Sequence, residues 1–292
     1  MNGIIVIDKP CGKTSHDMVG FIRRLTGIRK VGHTGTLDPE ATGVLPVCIG
    51  NATKACELLT CEDKRYVAEL ALGMTTDTLD AEGEILTEQP VLCDEETIKK
   101  TIERFVGEIW QIPPMFSAIK KDGKKLYELA RQGISIEREK RKVIIHDISI
   151  IEINMENQTV TIDVACSKGT YIRTLCDDIG MKLGCGAYMN KLKRVKSGRF
   201  SIEDAYKTEE IEKLFRENKL ENALVSVDNV FCDYPKVVVD DRYADFIKNG
   251  VRVRMKDLLE GQIYRVYDRE NNFLSLSECI DERLTLLKAF WN

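Results

Sequence analysis

The stretch Gly32-His33-Thr34-Gly35-Thr36-Leu37-Asp38-Pro39-Glu40-Ala41-Thr42-Gly43-Val44-Leu45-Pro46 constrains this chain more than any other. Its glycines permit backbone angles that a residue with a Cβ resists. Pro39 fixes its own φ and biases Asp38 toward an extended conformation. The apolar run from Val44 to Ile49 follows at once and reads as a buried strand. A single carboxylate is thereby displayed by a shaped loop at the foot of a strand. Two roles suit such an acid. It is a reactive group in a site, or it closes an Asx-type turn by bonding the backbone.

The flanking sequence supplies the frame. Gly3 to Ile7 is a short apolar strand, and Ser15 is placed to cap a helix reaching about Thr26. Met18, Ile22 and Leu25 recur on its inner face, and Gly27 stops it. Asn51 is placed to cap a short helix that carries Lys54. From Arg65 to Met74 the pattern alternates, with Tyr66, Ala68, Leu70 and Leu72 on one face. Thr75 to Gly83 is polar and acidic and reads as a loop. Asp94 caps a helix through Phe105, closed by Gly107. Pro113-Pro114 rules out a helix interior, and Leu126 to Arg131 is a short helix ended by Gly133. Val143 to Ile153 and Thr159 to Cys166 form a hairpin. Ile172, Leu175, Cys176, Ile179 and Leu183 mark an amphipathic helix. A strand over 192–200 and a helix over 208–218 follow. Hairpins and mixed connections, without regular helical crossovers, predict an α+β fold with a mixed, largely antiparallel central sheet. A boundary around Val230 to Tyr234 divides the chain into 1–230 and 231–292. The second part shows short strands and one helix.

Composition narrows the function classes. Net charge is −4, which disfavours a wholesale polyanion binder. Locally the balance differs. Lys182, Lys191, Lys193, Arg194, Lys196 and Arg199 lie in a stretch without acids, and the 120–142 stretch is also rich in Lys and Arg. Such runs are either RNA-facing or ordinary solvated surface. None of the ten cysteines forms a C-x-x-C pair, and the three histidines lack zinc-like spacing to them. No metal site is expected, and most cysteines read as small buried thiols in a reducing compartment. No apolar run is long enough to span a membrane, and the first residues lack a basic n-region. The expected location is the cytoplasm. Two decoys fail. Gly12-Lys13-Thr14-Ser15 is not a P-loop, because Ile7 stands where a glycine is needed. No G-x-S-x-G elbow occurs.

The signature stretch resembles that of the TruB family of tRNA pseudouridine synthases, in which the Asp of G-x-x-x-L-D is catalytic. Four further segments are similar to family motifs, in the same order: Asp8-Lys9-Pro10 with Gly12 to Ser15, Lys64-Arg65-Tyr66, Pro113 to Ala118, and Ser167 to Leu175. The resemblance implies a central sheet split by a catalytic cleft. In position and pattern, the last sixty or so residues are similar to the family's small RNA-binding PUA-type barrel. The implied activity is conversion of uridine 55 in the tRNA T loop to pseudouridine. The implied enzyme is of the bacterial stand-alone type, needing no cofactor, guide RNA or obligatory protein partner.

The chemistry suits the residues that the resemblance assigns. The base is detached, turned and rejoined, so the enzyme needs a nucleophile that can leave again. A carboxylate does this, and Asp38 takes that role, toward the base or toward the sugar. A buried carboxylate tends to keep its proton. Arg173 is implied as the guanidinium that keeps it ionised and aimed. Tyr66 is implied as the wall on which the flipped base stacks, with a possible part in proton transfer, or else it is a core strand aromatic. Tyr171 packs beside the pocket, and Leu192 supplies an apolar wall. His33 is implied to touch RNA near the vacated stack. Lys9, Lys13 and Lys54 are candidate phosphate or loop contacts, or solvated lysines. A rival reading is an RNA-binding or RNA-folding protein with secondary or lost catalysis. The intact set Asp38, Tyr66 and Arg173 argues against that loss.

Overall fold

The computed structural model of the protein describes residues 1–121 and 123–291. A nine-stranded sheet forms its body. The strand order is Gly3–Lys9, Thr42–Ile49, Ala187–Ser197, Lys64–Leu72, Thr159–Cys166, Arg141–Asn154 and Gly107–Gln111. Val31–His33 and Phe200–Ser201 pair off this path. All of these pairings are antiparallel except one. The exception is a short parallel seam, Thr42 beside Lys193 and Gly43 beside Arg194, which joins the two halves of the sheet. The expected mixed, largely antiparallel sheet is what forms.

The halves are buried differently, and their sequences show why. In the 64–72 strand the alternation puts Tyr66, Ala68, Leu70 and Leu72 inside and Arg65 outside. That face packs under the helices Glu95–Glu103 and Ile172–Leu183 through Ile98, Ile102, Leu175 and Ile179. The first strand and the 42–49 strand are instead continuous apolar runs, as expected of strands covered on both faces. Ile5, Ile7, Leu45 and Val47 meet Met18, Val19 and Ile22 of the helix Ser15–Thr26. Ile4, Val6 and Val44 on the opposite face join Phe231, Leu276 and Phe290. The free edge of the first strand is covered too. Ile4 exchanges both backbone bonds with Val225 at 2.8 Å, and Asp8 and Val6 bond Tyr206.

A second sheet begins at Lys236. Its five strands are ordered Lys236–Val238, Ile263–Tyr267, Phe273–Ile280, Arg283–Ala289 and Val253–Arg254. The helix Asp241–Lys248 packs Ala244 and Ile247 into its core with Val266 and Leu284. Among the described residues, no helix is long and apolar enough to cross a membrane.

Local expectations were corrected at several points. Thr14, not Ser15, caps the first helix, through a reciprocal pair with Asp17: Asp17 N–H to Thr14 Oγ1 at 3.0 Å, and Thr14 N–H to Asp17 Oδ2 at 2.8 Å. The one-residue shift frees Ser15. Its hydroxyl accepts from Leu37 N–H at 2.8 Å and donates to Leu37 O at 3.1 Å. Ile49, not Asn51, stands at the cap position of the 3-10 turn Gly50–Ala55, and Asn51 Oδ1 accepts from Lys30 Nζ at 3.3 Å. Part of the 75–83 loop is a strand, Met74–Thr76, paired with Ile85–Glu88. The 192–200 strand starts earlier, at Ala187, straight after the turn that ends the 172–183 helix.

Candidate active site

The loop from Gly35 to Gly43 is held by its backbone. Pro39 O accepts from Gly12 N–H at 3.0 Å and from Lys9 Nζ at 2.8 Å. Leu37 is bonded in both directions by Ser15. Asp38 O accepts from Ala41 N–H at 3.2 Å, which closes a tight turn across Pro39. The Asp38 side chain is thereby spared backbone duty and points at a guanidinium.

That guanidinium belongs to Arg173. Its Nε lies 3.1 Å from Asp38 Oδ2 and its Nη2 lies 3.4 Å from Oδ1, a two-point pairing across 135 positions of sequence. Arg173 is buried, whereas 39% of the Asp38 side chain remains exposed. The acid therefore sits at the mouth of the site with its cation beneath. Nη2 also donates to Phe116 O at 2.7 Å and Nη1 to Thr78 O at 3.4 Å. Arg173 opens the helix Ile172–Leu183, and Gln111 fixes that start. Gln111 accepts from Tyr171 N–H at 3.0 Å and donates to Tyr171 O at 3.2 Å. Burial pushes the Asp38 carboxyl above the ordinary aspartate value; Arg173 pulls it back down, and the charge of Asp80 pushes it up again.

Asp80 was missed in the sequence. Its Oδ2 lies 3.5 Å from Arg173 Nη1, and its Oδ1 accepts from Thr78 Oγ1 at 2.5 Å. Arg173 is thus shared between two carboxylates. The only hint was an acid set in the Asp77-Thr78-Leu79-Asp80 turn, where Leu79 adopts φ 64°.

Tyr66 is buried and shares an apolar cluster with Leu37, Ala41 and Ile172, against which the half-buried Leu192 packs. Burial raises its phenol pKa, so the ring stays protonated at neutral pH. Tyr171 is half-buried, and burial raises its pKa also. His33 ends the Val31–His33 strand. Burial, reinforced by the Arg194 charge, lowers its pKa and favours the neutral imidazole. Its Nδ1 is buried without a partner among the described residues.

Of the three candidate lysines, Lys9 makes loop contacts. Lys9 is fully buried and donates to Pro10 O at 2.9 Å, Lys13 O at 2.5 Å and Pro39 O at 2.8 Å. It holds loop carbonyls and cannot reach a phosphate; burial lowers its pKa to about 8. Lys54 donates to Trp291 O at 2.8 Å and so ties the segment after the last strand to the Gly50–Ala55 turn. Lys13 is exposed. Within the basic 182–199 run, Lys191 pairs with Glu69 at 3.1 Å and Lys193 is exposed. Arg194, counted there as surface, is 1% exposed. Strand periodicity already placed it on the same face as Leu192, two residues earlier. Among the described residues no cluster of His, Cys, Asp or Glu is built to hold a metal.

A carboxylate aimed by a guanidinium, beside a buried aromatic ring, has the groups needed for covalent attack on a planar ligand stacked on that ring. The N-terminal domain model of the TruB family pseudouridylate synthases matches residues 23–172. The chain belongs to the TruB family. A model of the tRNA pseudouridylate synthase B C-terminal domain matches residues 173–231. Curated relatives span almost all of the chain. A tRNA pseudouridine synthase B of Clostridium tetani is 44% identical over 99% of each chain. One from Clostridium acetobutylicum is 45% identical over 99% of each. One from Alkaliphilus oremlandii is 50% identical over 89% of this chain and 85% of its own. Among solved structures, a Cbf5-Nop10-Gar1 complex aligns at TM-score 0.74 and 26% identity, covering 99% of this chain and 85% of that one. The archaeal box H/ACA sRNP Nop10-Cbf5 complex aligns at TM-score 0.73 and 24% identity, covering 99% of this chain and 86% of that one, and shares the fold. TruB family membership makes the protein a pseudouridine synthase, an isomerase.

Proposed function

We propose that this TruB family member converts uridine 55 in the T loop of tRNA to pseudouridine, with Asp38 attacking a nucleotide flipped out of its stack. Uridine-to-pseudouridine isomerisation in tRNA is the activity for which its relatives are named. The observation that carries the site assignment is the two-point Arg173–Asp38 pair, with Tyr66 buried in the cluster that holds the neighbouring Leu37 and Ile172. In the reaction the N1–C1′ bond breaks and a C5–C1′ bond forms. The C5 proton leaves to solvent and N1 gains one, so reactant and product have the same composition. Asp38 supplies the carboxylate that bonds covalently and departs. Arg173 keeps it ionised and aimed. Tyr66 offers the stacking surface, worth roughly 1–3 kcal/mol per base, against an extrusion cost of a few kcal/mol. Tyr171 and Leu192 border the pocket, and the neutral imidazole of His33 suits stacking where the base has left. The sheet from Lys236 onward serves as a PUA-type RNA-binding unit, with the domain division near 230. The enzyme acts in the cytoplasm without a guide RNA or an obligatory protein partner. Convergence of Asp38, Tyr66 and Arg173 in one site disfavours a binding-only role.

The test is to incubate the purified protein with tRNA carrying tritium at uridine C5, follow release of label to water, and map the product. Pseudouridine at position 55 without added RNA or protein is expected. Absence of product, or product only when a guide is added, would overturn the proposal.

A pH prediction follows from the Arg173 pair. Because burial raises Asp38 and Arg173 opposes it, the acid limb of kcat/KM lies above the ordinary aspartate value. In Arg173→Met the opposing cation is gone, the carboxyl holds its proton to higher pH, and the limb moves up. The rate falls by about 10²-fold or more as aim is lost. A pH–rate profile checks both, and a limb that stays put or moves down contradicts the pairing.

A further inference from the structure

Arg194 has no part in the function so far. It is buried to 1% exposure, and among the described residues no carboxylate lies within ion-pair distance of it. Filling space with an unpaired buried cation is costly, since an apolar side chain of similar volume usually serves as well or better. Its bonds indicate a different use. Nε donates to Val44 O at 2.7 Å, and Nη2 donates to Gly35 O at 3.1 Å. Those two carbonyls bracket the loop that carries Asp38. The backbone of Arg194 forms the parallel seam with Gly43. On its other side Arg194 stands directly opposite Tyr66 in the antiparallel pair, where facing side chains lie in contact range. One planar group therefore touches both ends of the Asp38 loop and adjoins the strand that carries Tyr66. A guanidinium spans two such acceptors with a fixed fork, and an ammonium does not.

We propose that Arg194 is a positioning residue for the isomerisation: by clamping Gly35 and Val44 it sets the separation between the Asp38 carboxylate and the Tyr66 ring. This rests on the reading that Asp38 attacks a nucleotide stacked on Tyr66. Arg194 touches no reacting atom in this scheme. Its effect is on turnover and not on the capture of tRNA, because the loop it shapes acts after the nucleotide has entered.

The experiment compares the full chain with Arg194→Lys and Arg194→Met, at a temperature where circular dichroism shows each to be folded. With tRNA saturating, Arg194→Met should lose about 10²-fold in kcat, as expected for misplacement by about an ångström. KM should stay within about threefold. Arg194→Lys keeps the charge and one bond, so it should recover part of the loss, to about tenfold below the parent. A purely structural arginine would lower the melting temperature while folded molecules keep their kcat, and that result overturns the proposal. A raised KM with kcat intact overturns it as well, by making Arg194 an RNA contact. If the Met variant does not fold, the Lys variant decides alone: parental kcat in folded protein defeats the clamp. The unmodified chain is assayed alongside. Failure of that chain to make pseudouridine would strike the functional reading, whereas active parent and equally active variants would strike only Arg194.

Discussion

An Asp38→Asn variant forms pseudouridine at no more than about 10⁻⁴ of the parental rate, as removal of a nucleophile from an intact site predicts. It binds T-loop RNA within about threefold of the parent. The amide has the carboxylate's shape, and its Oδ1 can still accept from Arg173 Nη2. It cannot form and release the covalent bond that a carboxylate forms. Arg173 retains Phe116 O, Thr78 O and Asp80, so the buried guanidinium is not stranded. The fold is therefore kept, and the loss falls on the chemical step. Tritium release under single-turnover conditions, with RNA binding measured separately, distinguishes the two. A variant with near-parental turnover would remove Asp38 from the reaction, and one that no longer binds RNA would relocate its role to recognition.

The second large effect is structural. Gly43→Ala should destabilise the protein by about 3–5 kcal/mol, combining left-handed backbone strain with overpacking. Gly43 adopts φ +98°, and a Cβ there would lie 2.2 Å from the carbonyl oxygen of Arg194. That oxygen is backbone, so no side-chain rotation relieves the clash. The 42–49 and 187–197 strands would have to part at the seam where the two halves of the sheet meet. A urea titration with and without tRNA would show a lowered midpoint, and activity would fall with it, because the Asp38 loop ends at this residue. A midpoint within about 0.5 kcal/mol of the parent would mean that the seam opens without strain.

What could be read from the sequence is what is repeated locally. The alternation from Tyr66 to Leu72, the apolar stripe from Ile172 to Leu183 and the hairpin around Asn157 are periodic signals, and each appears where expected. The pairing of residues 38 and 173 came from motif resemblance, since no local pattern links positions so distant. Side chains whose partners are backbone atoms from elsewhere could not be placed. Lys9 and Lys54 were left open between phosphate or loop contacts and solvated surface because their acceptors include the carbonyls of Pro39 and Trp291, which only the folded chain brings near. Arg194 was absorbed into a basic run, although strand phase placed it inward. Ser15 was taken for a cap because a Thr-Ser pair leaves the capping residue open by one position. Asp80 lacked any periodic frame and was visible only once Arg173 was placed between it and Asp38.

The covering of the first strand by residues 206 and 225 bears on how the protein is made. Synthesised well before residues 206 and 225, residues 3–9 present an apolar ribbon with one margin bare until the nascent chain has grown far enough to supply Tyr206 and Val225. Throughout that interval they are open to pairing with another polypeptide. Slow translation just ahead of residues 206–225 should thus cost more soluble product than an equal delay placed after them.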